Sequence, residues 1–549
     1  APLCEVLDDE LGIGFAGNTA SLPATVPLLQ GLKFQEPQPR AVMFTERDRL
    51  LLRWIMDAIQ AGQQEIVLSD RDVEQLERVT HARGDLLPLP DAFSAAATIL
   101  AGGEDEVTRG TYRLLLSHAG GPGGANAIGR FCHGDSVLTG KVREYLQAEQ
   151  RLQSHAIFAE IVHLAHSRAG NILFRPLLRE YDIPFLARSG APPERQIPIA
   201  DLLVSVVDSR VVLRSRRLGR EIIPRLTSAH NFESRGNLPL YQFLGYLQWQ
   251  GVAGRVTFSF GALSSAPFLP RVVYRRFILT KAQWNLTEEQ IAPLLGACPV
   301  QRFEAMCTLR QQVHMPRWVA IAEGDRQLVI DTENTVSLDA AIPLLRNRRT
   351  VRFVETLHGS DACVVQSPEG GFTHELVVPY VRTHPISSQS PPTPTVGSGR
   401  TSFPPGSEWL YARLYPGNAG ADTVLEQVVQ PVVREALASG AADGWFFVRY
   451  ADPDWHLRVR IHGDATRLFS QVAPALAGQC ADLLASGGIW RLQFDTYERE
   501  VLRYGGPTGV ELAERLFHAD SEAVLDIIAA VRAGADADGR WLAAVIGTD

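Results

Sequence analysis

A multidomain α+β fold of mixed helices and sheets is the class this sequence predicts. Three observations predict it: the chain has 549 residues, helical and strand-like patterns both occur, and one Pro/Ser/Gly-rich stretch divides them. Two to four domains are expected at this length, because single cores stop growing beyond about 250–300 residues. The balance of 53 Lys+Arg against 61 Asp+Glu, with 45% hydrophobic residues, is that of a folded globular protein and excludes disorder as the main theme. A net charge of -8 excludes a protein that is basic all over, so any nucleic-acid contact must be local.

Taken along the chain, FTERDRLLLRWIMDAIQAG and SDRDVEQLERVTHARG carry apolar residues at helical spacing, the second opened by Ser69 and Asp70 as cap candidates. DLLVSVVDSRVVLRSRRLG holds two β-rich stretches about a turn at Asp208 and Ser209, and VTFSFG and RVVYRRFILT read as strands. HPISSQSPPTPTVGSGRTSFPPGS, ending at Ser407, has no hydrophobic periodicity; it sets a linker at 385–407 between segments 1–384 and 408–549. Beyond it WLYARLY and WFFVRY read as strands, and DTVLEQVVQPVVREALASG and ATRLFSQVAPALAGQCADLLASG as helices.

The six cysteines (Cys4, Cys132, Cys298, Cys307, Cys363, Cys480) lack CxxC pairing, which fits reduced, mostly buried thiols. The start, APLCEVLDDE, has no signal-peptide pattern and no run reaches the roughly 18 apolar residues of a membrane span, so a cytoplasmic protein is expected. The chain starts without methionine and ends at AAVIGTD directly after a helical pattern, so a piece of a longer protein is expected.

Several stretches could carry chemistry. As a strand, DPDWHLRVRIHG places His456, Arg458, Arg460 and His462 on one face and Leu457, Val459 and Ile461 on the other. Guanidinium forks bind carboxylates, so that face is a candidate anion pocket; spacing alone favours a solvated face of alternating polarity. In IWRLQFDTYEREVLRYGG, Glu500 and Arg503 share a face if helical, as a proton-transfer pair or as a surface ion pair. SHAGGPGGANAIGRFCHGD is glycine-rich but is no Walker loop, and a flexible loop is expected. FAEIVHLAH offers Glu160, His163 and His166 at helical spacing without HExxH, so no metal site is expected. Arg210, Arg214, Arg216, Arg217, Arg220 and Arg225 form the one basic cluster dense enough for RNA phosphate; an arginine-protected hairpin edge is the equal alternative.

Longer phrases are more specific. ANAIGRFCHGD, FAEIVHLAHSRAGNILFRPLLREYDIPFL, LRSRRLGREIIPRLTSAHNFESRGNLPLYQFL and PRWVAIAEGDRQLVIDTENT, collinear and in order, resemble the large dehydratases of class I lantibiotic synthesis. The resemblance covers nearly all of 1–384 and implies the later part of that family's glutamylation domain. GSEWLYARLYPG, WFFVRYADPDWHLRVRIHG and IWRLQFDTYEREVLRYGG resemble the first part of its elimination domain, in 408–549.

The resemblance implies a chemistry. Hydroxide leaves poorly, so serine or threonine is first esterified with glutamate from glutamyl-tRNA; loss of the α-proton and of glutamate then gives dehydroalanine or dehydrobutyrine. Glutamyl-tRNA is a co-substrate, and no further cofactor and no metal are implied. The implied partners are a lanthipeptide precursor, a lanthionine cyclase and a second copy of the chain, with any membrane association arising through a biosynthetic complex. By motif matching, Arg458, Arg460, Glu500 and Arg503 correspond to functional residues of the elimination site; the RNA-binding residues stay unassigned. The family's arginine-rich N-terminal region, its leader-peptide clamp and its C-terminal catalytic histidine have no counterpart here, so this chain alone is expected neither to glutamylate nor to eliminate. The rivals are a peptide–aminoacyl-tRNA ligase, against which the segment after Ser407 counts; a pyridine-forming cyclase, against which 1–384 counts; and an inactive peptide-binding remnant.

Overall fold

The computed structural model describes residues 1–8, 12–15, 44–81, 87–165, 169–234, 236–254, 256–296, 298–324, 326–357, 363–384, 400–451 and 454–533. The first two long helices start where the capping residues place them. Thr45 and Asp48 form a reciprocal capping box at helix Glu46–Gln60. Ser69 and Asp72 exchange the same bonds, Ser69 N to Asp72 at 2.9 Å and Asp72 N to the Ser69 hydroxyl at 3.3 Å, ahead of helix Asp70–His81.

Three larger sheets build the first part of the chain. One is mixed and six-stranded, in the order Glu65–Leu68, Arg271–Tyr274, Phe277–Thr280, Arg113–Gly120, Ala92–Leu100, Leu376–Val381. A second is antiparallel and five-stranded, running from Arg326–Asp331 to Phe268–Leu269, with Trp284 and Phe353 fully buried in its core. The third sets Ala156–His163 between parallel neighbours Tyr181–Phe185 and Glu221–Arg225, followed by the Arg210–Ser215 and Leu202–Val207 hairpin.

Strand Ala156–His163 corrects the helical spacing read from FAEIVHLAH. Paired in parallel on both sides, it is buried on both faces, and such strands show continuous rather than alternating apolar character. Glu160 binds Arg175 at 2.6 Å and the Thr227 amide at 2.7 Å; His163 Nδ1 lies 2.9 Å from the Phe185 carbonyl; His166 falls outside the described residues.

The glycine-rich segment is packed rather than flexible. Ala119 to Ala125 are buried, and a Cβ on Gly129 would stand 2.2 Å from the Thr227 carbonyl oxygen. The basic cluster is engaged internally: Arg210 pairs with Glu221, Arg217 and Arg220 donate to the Gln196 and Ala156 carbonyls at 2.9 Å, and Arg225 meets Glu149 at 3.0 Å. VTFSFG forms no strand; Phe258 and Phe260 pack edge to face at 5.2 Å in a cluster with Ile55 and Leu68, so side-chain burial replaces ladder pairing. Of the cysteines only Cys132 and Cys480 are buried, while Cys4 and Cys298 are exposed.

The last part of the expected linker is structured. Residues 385–399 lie outside the described residues, but Ser402–Phe403 pairs with Tyr497–Glu498, and Phe403 is 3% exposed. An antiparallel four-stranded sheet follows, in the order Ala442–Tyr450, His456–Gly463, Trp409–Leu414, Leu492–Asp495. Two of the helices packed on it widen into a π turn just before a proline: Leu425–Val429 ahead of Pro431, and Leu468–Val472 ahead of Pro474. Proline lacks an N–H and crowds the carbonyl four residues back, so a local widening lets the helix continue. Leu457, Val459 and Ile461 fill the core between this sheet and these helices.

Candidate functional site

The opposite face of strand His456–Gly463 carries the site. The strand is interior to its sheet: Arg458 lies opposite Arg413 and Val448, and Arg460 opposite Tyr411 and Phe446. Both guanidiniums are buried, each residue only 6% exposed, so the solvated face that spacing alone favoured is excluded. Its cover comes from far along the chain, from helix Pro507–Arg532 and the 499–506 turn.

Arg460 sits among aromatic rings. Its guanidinium carbon is 4.6 Å from the Tyr497 ring centre, 5.0 Å from Tyr411 and 5.2 Å from Phe446. Its buried Nε has no hydrogen-bond partner among the described residues, and no carboxylate there pairs with it. Ring faces offset part of the cost of burying a cation, but a charge so placed is suited to an incoming anion. Arg458 lies 3.5 Å over the Tyr450 ring and donates from Nε to His456 Nε2 at 3.1 Å.

Glu500 and Arg503 pair at 2.9 Å, as their spacing of three allows, but on a turn rather than a helix. Gly505 and Gly506, at φ of +82° and +101°, close that turn before the helix begins at Pro507. The turn is tied down by Arg499, which grips Glu514 through two bonds of 2.7 and 2.6 Å, while the Tyr497 hydroxyl donates to Glu514 at 2.8 Å. Arg503 also donates to the Gly12 carbonyl at 3.1 Å.

Arg458, Arg460, Glu500 and Arg503, singled out separately in the sequence, line one cavity of about 730 Å³. Tyr497 and Tyr504 line it beside them, and Val448, Val524 and Ile527 give it an apolar wall. Burial raises the pKa of both tyrosine hydroxyls, which stay protonated donors. Arg449 and Asp422 pair with each other at its edge. Two arginines two residues apart on one strand stand roughly 7 Å apart, enough for each to meet a separate anionic oxygen.

Sequence reading did not single out the aromatic lining. Tyr411 and Phe446 lie at inward positions of strands that the sequence shows only as hydrophobic runs, and Tyr497 stands on a two-residue strand within the charged stretch DTYERE. A second cavity, of about 640 Å³, lies in the first part of the chain over Glu160, His163, Arg175 and Asp182. There burial holds the Asp182 carboxyl above its ordinary range against the Ser189 hydroxyl, which donates to it at 2.6 Å.

A family model described as "Lantibiotic dehydratase, N terminus" matches residues 1–340, and one described as "Lantibiotic biosynthesis dehydratase C-term" matches 409–548. The chain is similar to the subtilin biosynthesis protein SpaB of Bacillus subtilis, 23% identical over 535 residues that cover 95% of this chain and 50% of SpaB. It is similar to the nisin biosynthesis protein NisB of Lactococcus lactis, 21% identical over 76% of this chain and 40% of NisB. The solved tRNA dependent lantibiotic dehydratase MibB from Microbispora sp. 107891 superposes with a TM-score of 0.55 at 25% identity, covering 97% of this chain and 49% of MibB. The chain thus spans about half, or less, of the length of these relatives.

Proposed function

Because the chain belongs to the lantibiotic dehydratase family, we propose that it acts in dehydrating serine and threonine of a lanthipeptide precursor, with 408–549 supplying the glutamate-elimination site. In this reading 1–384 is the later part of the glutamylation domain, with glutamyl-tRNA as co-substrate. Work beside a lanthionine cyclase, as a homodimer and within a biosynthetic complex at the membrane, belongs to the same proposal. No helix among the described residues is long and apolar enough to cross a membrane by itself.

One observation carries the reading: four charged side chains from two separate segments converge on one cavity, with Arg460 buried and, among the described residues, lacking a carboxylate partner. The elimination step builds negative charge twice, on the enolate oxygen and on the departing glutamate. Cations fixed in advance need no reorganisation when that charge appears. Arg458 and Arg460 hold the glutamyl carboxylate and the enolate, while Glu500 assists proton transfer or orients Arg503.

The test supplies a glutamylated peptide to the intact enzyme carrying Arg458→Ala or Arg503→Ala and follows released glutamate. Loss of one preorganised group should slow release by about 10²-fold or more. Undiminished release would end the assignment.

A further inference from the structure

We propose that His456 is a positioning residue of this site, acting through Arg458 as a fixed neutral acceptor and not as the proton carrier. The inference rests on the elimination reading above. The His456 ring is 3% exposed and does not line the cavity, whereas Arg458 does. Its Nδ1 lies 2.7 Å from the Asp454 carbonyl oxygen. A carbonyl can only accept, so Nδ1 carries the proton. A neutral imidazole then has one lone pair left, on Nε2, and Arg458 Nε donates to it at 3.1 Å.

Both ring nitrogens are therefore committed. To take a proton from substrate, His456 would have to release Arg458 and leave a second cation beside a buried guanidinium. The surroundings hold the pair in one orientation. Tyr415 stacks on the imidazole with ring centres 4.9 Å apart and planes 26° apart, and the Tyr450 ring lies 3.5 Å from the Arg458 guanidinium carbon. The guanidinium plane is thus fixed at its Nε corner, which sets the angle at which its outer edge meets a carboxylate.

The experiment measures kcat and KM for glutamate release from a glutamylated peptide by the intact enzyme and by its His456→Phe, His456→Gln and Arg458→Ala variants. Phenylalanine keeps the ring against Tyr415 but offers no acceptor. Glutamine has no imidazole base but brings an amide oxygen that can accept from Arg458 Nε. His456→Phe should lose about 10²-fold in kcat, as a misplaced catalytic group does, with a smaller change in KM; His456→Gln should recover most of the loss. Full activity of His456→Phe, or His456→Gln as inactive as a folded His456→Phe, would overturn the inference. Should His456→Phe not fold, His456→Gln decides alone: activity within about tenfold of the parent supports an acceptor, and a loss near 10²-fold rejects it. Undiminished release by Arg458→Ala would instead reject the elimination reading itself.

Discussion

In the proposed elimination, Arg460 combines a cost to the fold with a use for the chemistry. A buried guanidinium with rings around it and no carboxylate partner among the described residues is poorly compensated, and such charges can often be replaced by apolar side chains of similar volume without loss of stability. Arg460→Met should therefore melt within about 1 kcal/mol of the parent, or above it, while glutamate release falls by about 10²-fold. Thermal melts beside the release assay check both halves of that expectation. A large loss of stability would recast Arg460 as a structural residue. The buried thiols make a simpler case: burial pushes the Cys480 pKa up to about 11, so little thiolate exists at pH 8. Iodoacetamide at that pH should label the exposed Cys4 and Cys298 first, and peptide mass spectrometry of the native protein should find Cys480 unmodified.

At the level of elements, the turn that presents Glu500 and Arg503 hangs on Glu514. Glu514→Ala would leave Arg499 without its partner in a site where their side chains are only 16% and 8% exposed, a change worth about 3–5 kcal/mol. Urea unfolding should show that loss, and a second change, Arg499→Met, should restore part of it. Such links explain what could be read from the sequence. Alternation in HLRVRIHG fixes which side chains share a face, and that face is as expected. Whether a face is covered depends on what packs over it, and helix Pro507–Arg532 is some fifty residues away. Glu500 and Arg503 meet because a spacing of three brings side chains together on a turn as well as on a helix. The spacing of Glu160 and His163 misled for the converse reason: in a strand flanked on both faces, hydrophobicity is continuous and carries no period. The aromatic cage of Arg460 assembles from three strands, and no local pattern marks such an assembly.

Over the whole molecule, the first part of the chain is held by a buried charge network. Glu149 takes Arg179 at 2.7 Å and Arg225 at 3.0 Å, and Glu160 takes Arg175 at 2.6 Å. Burial alone would raise the Glu149 pKa, but the two arginines outweigh it and hold the carboxyl below its ordinary 4.5. A carboxyl depressed in the folded state adds stability that is present above its unfolded pKa and is lost as pH falls through the folded one. The urea midpoint should accordingly decline as pH drops below about 4.5, and Glu149→Gln should be destabilised near neutrality with a flatter acid response.

The proposed elimination cavity makes a different demand, since in that reading its arginines are placed for a ligand. That claim is tested most directly by binding without turnover. A peptide whose glutamyl group is attached through an amide, which cannot be eliminated, is titrated calorimetrically into the intact enzyme and into its Arg458→Ala and Arg460→Ala variants. Charge-assisted hydrogen bonds of this kind are worth about 1.5–3 kcal/mol, so each variant should bind roughly ten- to a hundredfold more weakly than the parent. Equal affinity in all three would contradict the cavity's role as the seat of the glutamyl carboxylate.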